Sequence, residues 1–210
     1  MELLPPGSLV RIQLGIPLTK GDNMPSVFLV SDTHFGHLGV CRFTHNDDGV
    51  TKIRPWTDPD EMDEDMVKYW NDTVGPKDKV YHLGDVAINR KALPILSRLN
   101  GEKVLIKGNH DIFKLSDYTP YFKDIRAYHK MSDYILSHIP MHPSSLARWC
   151  GGNFHGHLHS NRVMRVDMFS DELSIDPMYF NVSVEQINFR PILFERAVDL
   201  MKAQQEILDN

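Results

Sequence analysis

Val27-Phe28-Leu29-Val30 runs without a break into Ser31-Asp32-Thr33-His34. A short, β-rich apolar run that stops at a polar cluster reads as a buried strand whose carboxyl end presents side chains on a loop. The figure recurs along the chain. Lys79-Val80-Tyr81-His82-Leu83 runs into Gly84-Asp85, and Val104-Leu105-Ile106-Lys107 into Gly108-Asn109-His110-Asp111. Tyr134-Ile135-Leu136 runs into Ser137-His138, and Asn153-Phe154 into His155-Gly156-His157-Leu158-His159.

Between these runs the period changes to that of a helix. Asp58-Pro59-Asp60-Glu61 offers an N-cap, a proline at the first helical position and first-turn carboxylates. Met62, Met66, Trp70 and Val74 then repeat on one face. A shorter helix is predicted from Arg90 to Leu99, with Pro94 limiting its N-terminal part. After residue 120 the pattern turns strand-rich: Arg162 to Met168, Tyr179 to Glu185, and Phe189 to Phe194. A last amphipathic helix carries Ala197, Leu200, Met201, Gln204, Ile207 and Leu208 on one stripe. Strands alternating with helices predict an α/β architecture. With no internal repeat or linker, residues 1 to 210 read as a single domain. Residues 1 to 25 form an N-terminal arm or an edge strand around Leu9 to Leu14.

Of 210 residues, 41% are hydrophobic and 24% charged, which excludes disordered, collagen-like and coiled-coil classes. Acidic residues outnumber basic ones by 28 to 23, so no general affinity for a nucleic-acid backbone is expected. Cys41 and Cys150 lie far apart and make no disulfide framework or zinc ribbon, which suits a reducing cytosol. The first residues lack a basic n-region and an apolar run, so a cytoplasmic location away from the membrane is expected.

Ligands of open α/β folds gather beyond the carboxyl ends of strands. The polar clusters there pool two carboxylates (Asp32, Asp85), an amide (Asn109) and the histidines His34, His110, His138, His157 and His159. Asp32/His34 and His157/His159 are spaced i and i+2, which in extended chain puts both side chains on one face. Nitrogen and oxygen donors without thiolate suit divalent transition ions better than calcium or magnesium. The set exceeds what one ion needs, and two ions sharing a carboxylate use it fully. Such a pair, roughly 3.5–4 Å apart, brings the pKa of bound water to about 7 and clamps a displacement at phosphorus. No G-x-S-x-G elbow or reactive cysteine supplies a rival nucleophile.

Asp32-x-His34, Gly84-Asp85, Gly108-Asn109-His110-Asp111, His138 and Gly156-His157-x-His159, in that order, resemble the calcineurin-like metallophosphoesterase superfamily. The resemblance spans roughly residues 27 to 160. It implies a four-layer α/β/β/α sandwich of two mixed β-sheets flanked by helices, with two metal ions at the strand ends. It implies that Asp32, His34, Asp85 and His159 hold one ion, and Asp85, Asn109, His138 and His157 the other, with Asp85 bridging. Manganese leads the implied ions, with iron, zinc, nickel and cobalt as alternatives. Metal-bound hydroxide would attack a phosphoester, while His110 contacts the phosphate and assists the leaving oxygen.

Ser31-Asp32-Thr33-His34-Phe35-Gly36-His37 and Tyr81-His82-Leu83-Gly84-Asp85 look most like small prokaryotic or phage phosphoesterases. The Ser/Thr phosphatase branch has Asp-Arg-Gly and Glu where this chain has Val86-Ala87-Ile88 and Asp111. A phosphodiester is therefore favoured over a phosphomonoester. The expected partner is a small phosphoester substrate, nucleotide-derived ones included, and a homo-oligomer is allowed. Two other classes compete: a catalytically silent scaffold of the same fold that docks proteins, and a nuclease.

The remaining signals have plainer readings. His37 either reaches substrate or supports a carboxylate. His82 and His142 read as structural, His45 and His129 as solvent-exposed, and Cys41 and Cys150 as packing residues. The acidic run from Asp58 to Asp65 lacks the glycine and terminal glutamate of a calcium loop and reads as a first helical turn. Arg148 and Arg162 flank the last two blocks, within reach of a phosphate. Tyr179 to Glu185 and Arg190 carry no assigned chemistry. The segment between Val40 and Thr57 is the expected place for substrate selection.

Overall fold

A computed structural model describes residues 24–45, 48–146, 151–166 and 171–206. The expected strand at 9–14, Arg148, Cys150, Met168, Ile207 and Leu208 lie outside these residues. In chain order the elements are β1 (Val27–Val30), α1 (Pro59–Thr73), β2 (Lys79–His82), β3 (Glu102–Ile106), α2 (Leu115–Tyr118), β4 (Asp124–Arg126), β5 (Tyr128–Met131) and β6 (Tyr134–Ser137). There follow β7 (Gly152–His155), β8 (Met164–Val166), β9 (Leu173–Ile175), β10 (Tyr179–Asn181), β11 (Ile192–Leu193) and α3 (Phe194–Glu206).

Two mixed sheets form the centre. The first has the order β11-β1-β2-β3-β4, parallel except for β11. The second runs β10-β7-β6-β5, with only β5 antiparallel. A small hairpin, β8-β9, stands apart from both. Phe28, Leu29 and Val30 of β1, and Val104, Leu105 and Ile106 of β3, are all buried. Strands covered on both faces are uniformly apolar, which is why these runs do not alternate.

Helix α1 begins where its cap predicts. The Asp58 carboxylate accepts the amides of Asp60 and Glu61, and Met62, Met66 and Trp70 are buried. Each such side chain removed from water contributes roughly 1.5–3 kcal/mol. The Trp70 ring stacks over His82 of β2 at 6.3 Å, which fixes the helix on the first sheet. Helix α3 buries Ala197, Leu200 and Met201, and sets Phe194 against Tyr134 and Phe154 of the second sheet. This is the α/β architecture the alternation predicts, arranged as the sandwich of two mixed sheets that the resemblance implies.

Some local expectations need correction. The helix expected at Arg90 to Leu99 is present as a 3-10 helix, Arg90–Arg98, with Pro94 inside it unable to donate a hydrogen bond. The strand expected from Phe189 to Phe194 shrinks to Ile192–Leu193. Asn188 and Phe189 have left-handed backbones (φ 53° and 58°), and Pro191 follows, so extended pairing starts only beyond them. The run from Tyr179 to Glu185 is a strand only to Asn181, and Val184–Gln186 forms a 3-10 turn. Within Arg162 to Met168, only Met164–Val166 is strand among the described residues. His45 and His129 are half-buried rather than exposed. The His129 ring lies flat on Tyr81, 5.1 Å between centroids.

The sheets join where their strands end. Ser31 N–H donates to Val182 O (3.0 Å), Val182 N–H to His155 O (2.7 Å), and Gly156 N–H to His138 O (2.9 Å). A bridge pairs Ser31 with Ser183. The loops after β1, β2, β3, β6, β7 and β10 therefore converge on one spot.

Candidate metal centre

The backbone there is strained in a specific way. Asp32, His34, Asp85, His157 and His159 have φ of 59°, 50°, 56°, 70° and 50°. Non-glycine residues rarely enter this left-handed region, and where they cluster the surrounding structure imposes it. The strands arrive extended, and each polar block must turn at once to aim its side chains inward.

Two groups of ligand atoms result. Asp32, His34 and His159 form one, and Asp85, His138 and His157 the other, with the ligand atoms of each group within 4.8 Å of one another. Each group can hold a metal ion. They are contiguous: His34 Nε2 lies 3.8 Å from Asp32 Oδ1 and 3.6 Å from Asp85 Oδ2, and His138 Nε2 is 3.4 Å from the same Asp85 oxygen. Asn109 Oδ1 sits 2.8 Å from His138 Nε2 and 2.9 Å from His157 Nδ1, which adds an amide oxygen to the second group. Among the described residues, Asp32 Oδ1 and both nitrogens of His34 are buried without a hydrogen-bond partner. Buried polar atoms are nearly always satisfied, so orphans in a cage of carboxylate and imidazole are what a cation would complete.

The supports are as specific as the ligands. Asp32 Oδ2 accepts the His157 amide (2.9 Å) and the Ser183 hydroxyl (2.9 Å). Asp85 Oδ1 accepts the His110 amide at 2.8 Å. The Asp111 carboxylate gathers the amides of Asp85, Val86 and Gly108 at 2.8–3.0 Å and so folds two loops together. His138 Nδ1 lies 2.7 Å from the Leu83 carbonyl, and His159 Nδ1 lies 3.0 Å from Glu185 Oε1. Partners of this kind fix a ring and leave its other nitrogen for an ion.

Burial and charge act against each other here. Burial pushes the Asp32 carboxyl up and drives the His34 imidazole well below its ordinary value. Burial also pushes Asp85 up, but the hydrogen bond from His138 and the neighbouring imidazoles outweigh it and hold the carboxyl below the usual range. Burial lowers His159, yet the Glu185 carboxylate outweighs it and holds the ring above its ordinary value. Glu185 in turn is pushed up by burial and brought down to about 2 by Arg54 and His159.

His110 and Asn109 are exposed, and the His110 ring stands 5.5 Å from that of His34, over the mouth of the cluster. His37 is half-buried with its ring 5.5 Å from His34, and its Nδ1 has no hydrogen-bond partner among the described residues. His82 lies inside, bonded to the Thr33 hydroxyl at 3.0 Å, while exposed His142 caps a short turn. Half-buried Arg162 reaches Gln186 at 3.3 Å rather than the ligand groups. Cys41 packs against Met62.

Sequence reasoning missed Ser183, Glu185 and Arg54. Arg54 is fully buried and pairs with Glu185 at 2.7 Å. An arginine in an irregular loop carries no motif, and its partner lies 131 residues away. Exposed Phe43, within the segment expected to select substrate, sets its ring edge-on to both His37 and His159 at 6.1 Å.

No family model matches the chain. Among solved structures, the protein of unknown function AQ665 from Aquifex aeolicus superposes with a TM-score of 0.59 at 23% identity, over 85% of this chain and 100% of that one. The two share a fold. A looser likeness, TM-score 0.40 at 20% identity over 73% of this chain and 84% of the other, is to an archaeal phosphodiesterase. In sequence, the chain is 31% identical over 188 residues to the uncharacterized protein MJ1445 of Methanocaldococcus jannaschii, covering 86% of this chain and 93% of that protein. The chain belongs to the same family as MJ1445.

Proposed function

We propose that the chain is a metal-dependent phosphoester hydrolase of the calcineurin-like metallophosphoesterase superfamily, close to its small prokaryotic and phage branch, and that it prefers phosphodiesters. One observation carries this reading: two contiguous groups of Asp and His ligands at strand ends, with Asp32 Oδ1 and His34 Nε2 buried and unpartnered inside them. Asp32, His34, Asp85 and His159 would hold one ion, and Asp85, Asn109, His138 and His157 the other, with Asp85 shared. Divalent transition ions, manganese first, would supply an acidified water and Lewis acidity at the phosphoryl oxygens.

The side chains around them divide the remaining work. His110, exposed above the groups, holds a proton for the departing oxygen. The Asp111 carboxylate keeps Asp85 and the Gly108-Asn109-His110 loop in one arrangement. His37, beside His34, contacts the substrate phosphate. A groove of about 480 Å³, lined by Arg42, Phe43, Thr44, His157, His159 and Asn161 among others, leads into the cluster and receives the organic part of a small phosphoester. Its aromatic and cationic walls suit a nucleotide-derived diester.

The test is hydrolysis of bis-p-nitrophenyl phosphate beside p-nitrophenyl phosphate, after chelator stripping and readdition of manganese, with His110→Ala alongside. Diester turnover that returns with metal and disappears in the variant supports the reading. Monoester preference would overturn the diester assignment. No turnover of either ester, with two ions still bound, would favour the silent scaffold.

A further inference from the structure

Arg54 is 0% exposed, although it comes from an irregular loop. Its Nε donates to Glu185 Oε1 at 2.8 Å, and its Nη2 lies 2.7 Å from the same oxygen. Nη2 also donates to the Asp32 carbonyl at 2.6 Å, and Nη1 to the Thr33 carbonyl at 2.9 Å. One guanidinium therefore clamps the left-handed backbone that carries Asp32 and His34. Through Glu185, whose Oε1 is 3.0 Å from His159 Nδ1, it also fixes the ring of His159. The His159 ring stacks on His34, 5.1 Å between centroids at 21°.

The residues so held are those of one ligand group, Asp32, His34 and His159. Those of the other group are held differently. His138 rests on the Leu83 carbonyl through Nδ1, and Asp85 on the His110 amide. A buried ion pair is a weak way to gain stability, since desolvating both partners offsets most of their attraction. Its value here lies in geometry: a planar fork that grips two carbonyls and a carboxylate at once, which lysine or an apolar side chain could not do.

We propose that Arg54 and Glu185 are positioning residues for one of the two metal sites, the one built by Asp32, His34 and His159. Loss of either weakens that site and leaves the site of Asp85, Asn109, His138 and His157 filled. This rests on the two-ion reading above.

Equilibrium binding of manganese to the metal-stripped full chain tests both, with bound ions counted by elemental analysis and free ion followed by its electron paramagnetic resonance. Wild type should bind two ions per chain. Glu185→Gln should keep one at wild-type affinity and bind the other about 10- to 100-fold more weakly. Combined with His159→Ala it should add nothing further, whereas with His157→Ala the losses should add, because that variant strikes the other site. If Glu185→Gln does not fold, Arg54→Met/Glu185→Met, which leaves no buried charge, takes its place with the same expectation. Two ions at wild-type affinity in these variants, or equal weakening of both, would overturn the proposal. A wild type that binds a single ion would instead end the two-ion reading. The positioning role would then stand only if Glu185→Gln and His159→Ala weaken that ion alike without adding.

Discussion

Asp32, His34 and His159 lean on an ion pair buried beneath them, whereas Asp85 and His138 lean on main-chain atoms. The ligand types match; the supports do not. Burial dominates at Asp32 and pushes its carboxyl up, while at Asp85 the imidazoles outweigh burial. Supports also differ in reach. Ser183 stands 151 residues from Asp32 along the chain, but the His110 amide only 25 from Asp85. The same donor set can thus be assembled from far or near, and the far assembly depends on more of the fold.

The sharpest way to break the contrast is at the shared carboxylate. Asp85→Asn should lose both ions, and turnover should fall by about a thousandfold, on the order of 4 kcal/mol, measured as kcat/KM with elemental analysis of the same sample. His110→Ala should retain both ions and still lose about a hundredfold or more in kcat. Equal metal loss in the two variants would erase the distinction between ligand and proton carrier.

Smaller effects should separate the groups. A β-carbon at Gly156 would run into Ser31 Oγ and Asp32 Oδ2, and one at Gly108 into the Asp85 carboxylate. Gly156→Ala should weaken mainly the ion held with Asp32, by roughly tenfold, whereas Gly108→Ala, which displaces the shared Asp85, should weaken both. Titration calorimetry with manganese would show one weakened site in Gly156→Ala and two in Gly108→Ala.

The smallest expected effect concerns the carboxylates that hold the loops beside the two groups. Asp63 accepts the Gly36 amide beside the first group, as Asp111 accepts three amides beside the second. Burial pushes Asp63 from 3.8 up to about 6. A raised carboxyl favours the folded state fully below its unfolded pKa and loses that contribution as pH climbs through the folded one. Metal-free protein should therefore lose on the order of 1–2 kcal/mol between about pH 4 and pH 6 that Asp63→Asn does not lose. Urea midpoints of both proteins at the two pH values would show parallel behaviour if Asp63 is not the group responsible.

The strand ends were legible in the sequence because each block couples an apolar run to a polar turn, a signal only eight or so residues long. Helix α1 was legible for a similar reason, its cap and stripe being local. The short strands β4, β5 and β9 were not, since their exposed or half-buried residues show no apolar run. Arg90–Arg98 kept its predicted place and winds as a 3-10 helix around Pro94. At the site, the residues brought together are those whose chemistry is written in ordered blocks. Arg54, Ser183 and Glu185 gain meaning only from partners brought together by the fold, two of them more than a hundred residues apart, and no local pattern carries such a pairing. The segment between Val40 and Thr57, expected to select substrate, sends Phe43 towards the groove and Arg54 into the interior, so it serves the ligands as well as the entrance.

The separation of Arg54 from Glu185 has a consequence for how the protein is made. A ribosome releases the chain from its amino end, and domains acquire structure as their segments emerge. The group of Asp85, Asn109, His138 and His157 has all its ligands once residue 157 is out. Asp32, His34 and His159 are all out two residues later, but their supporting ion pair must wait for Glu185, 131 residues after Arg54, and until then the guanidinium has no counter-charge. A chain interrupted before Glu185 therefore carries every residue of both ligand groups but lacks the carboxylate that pairs with Arg54 and fixes His159.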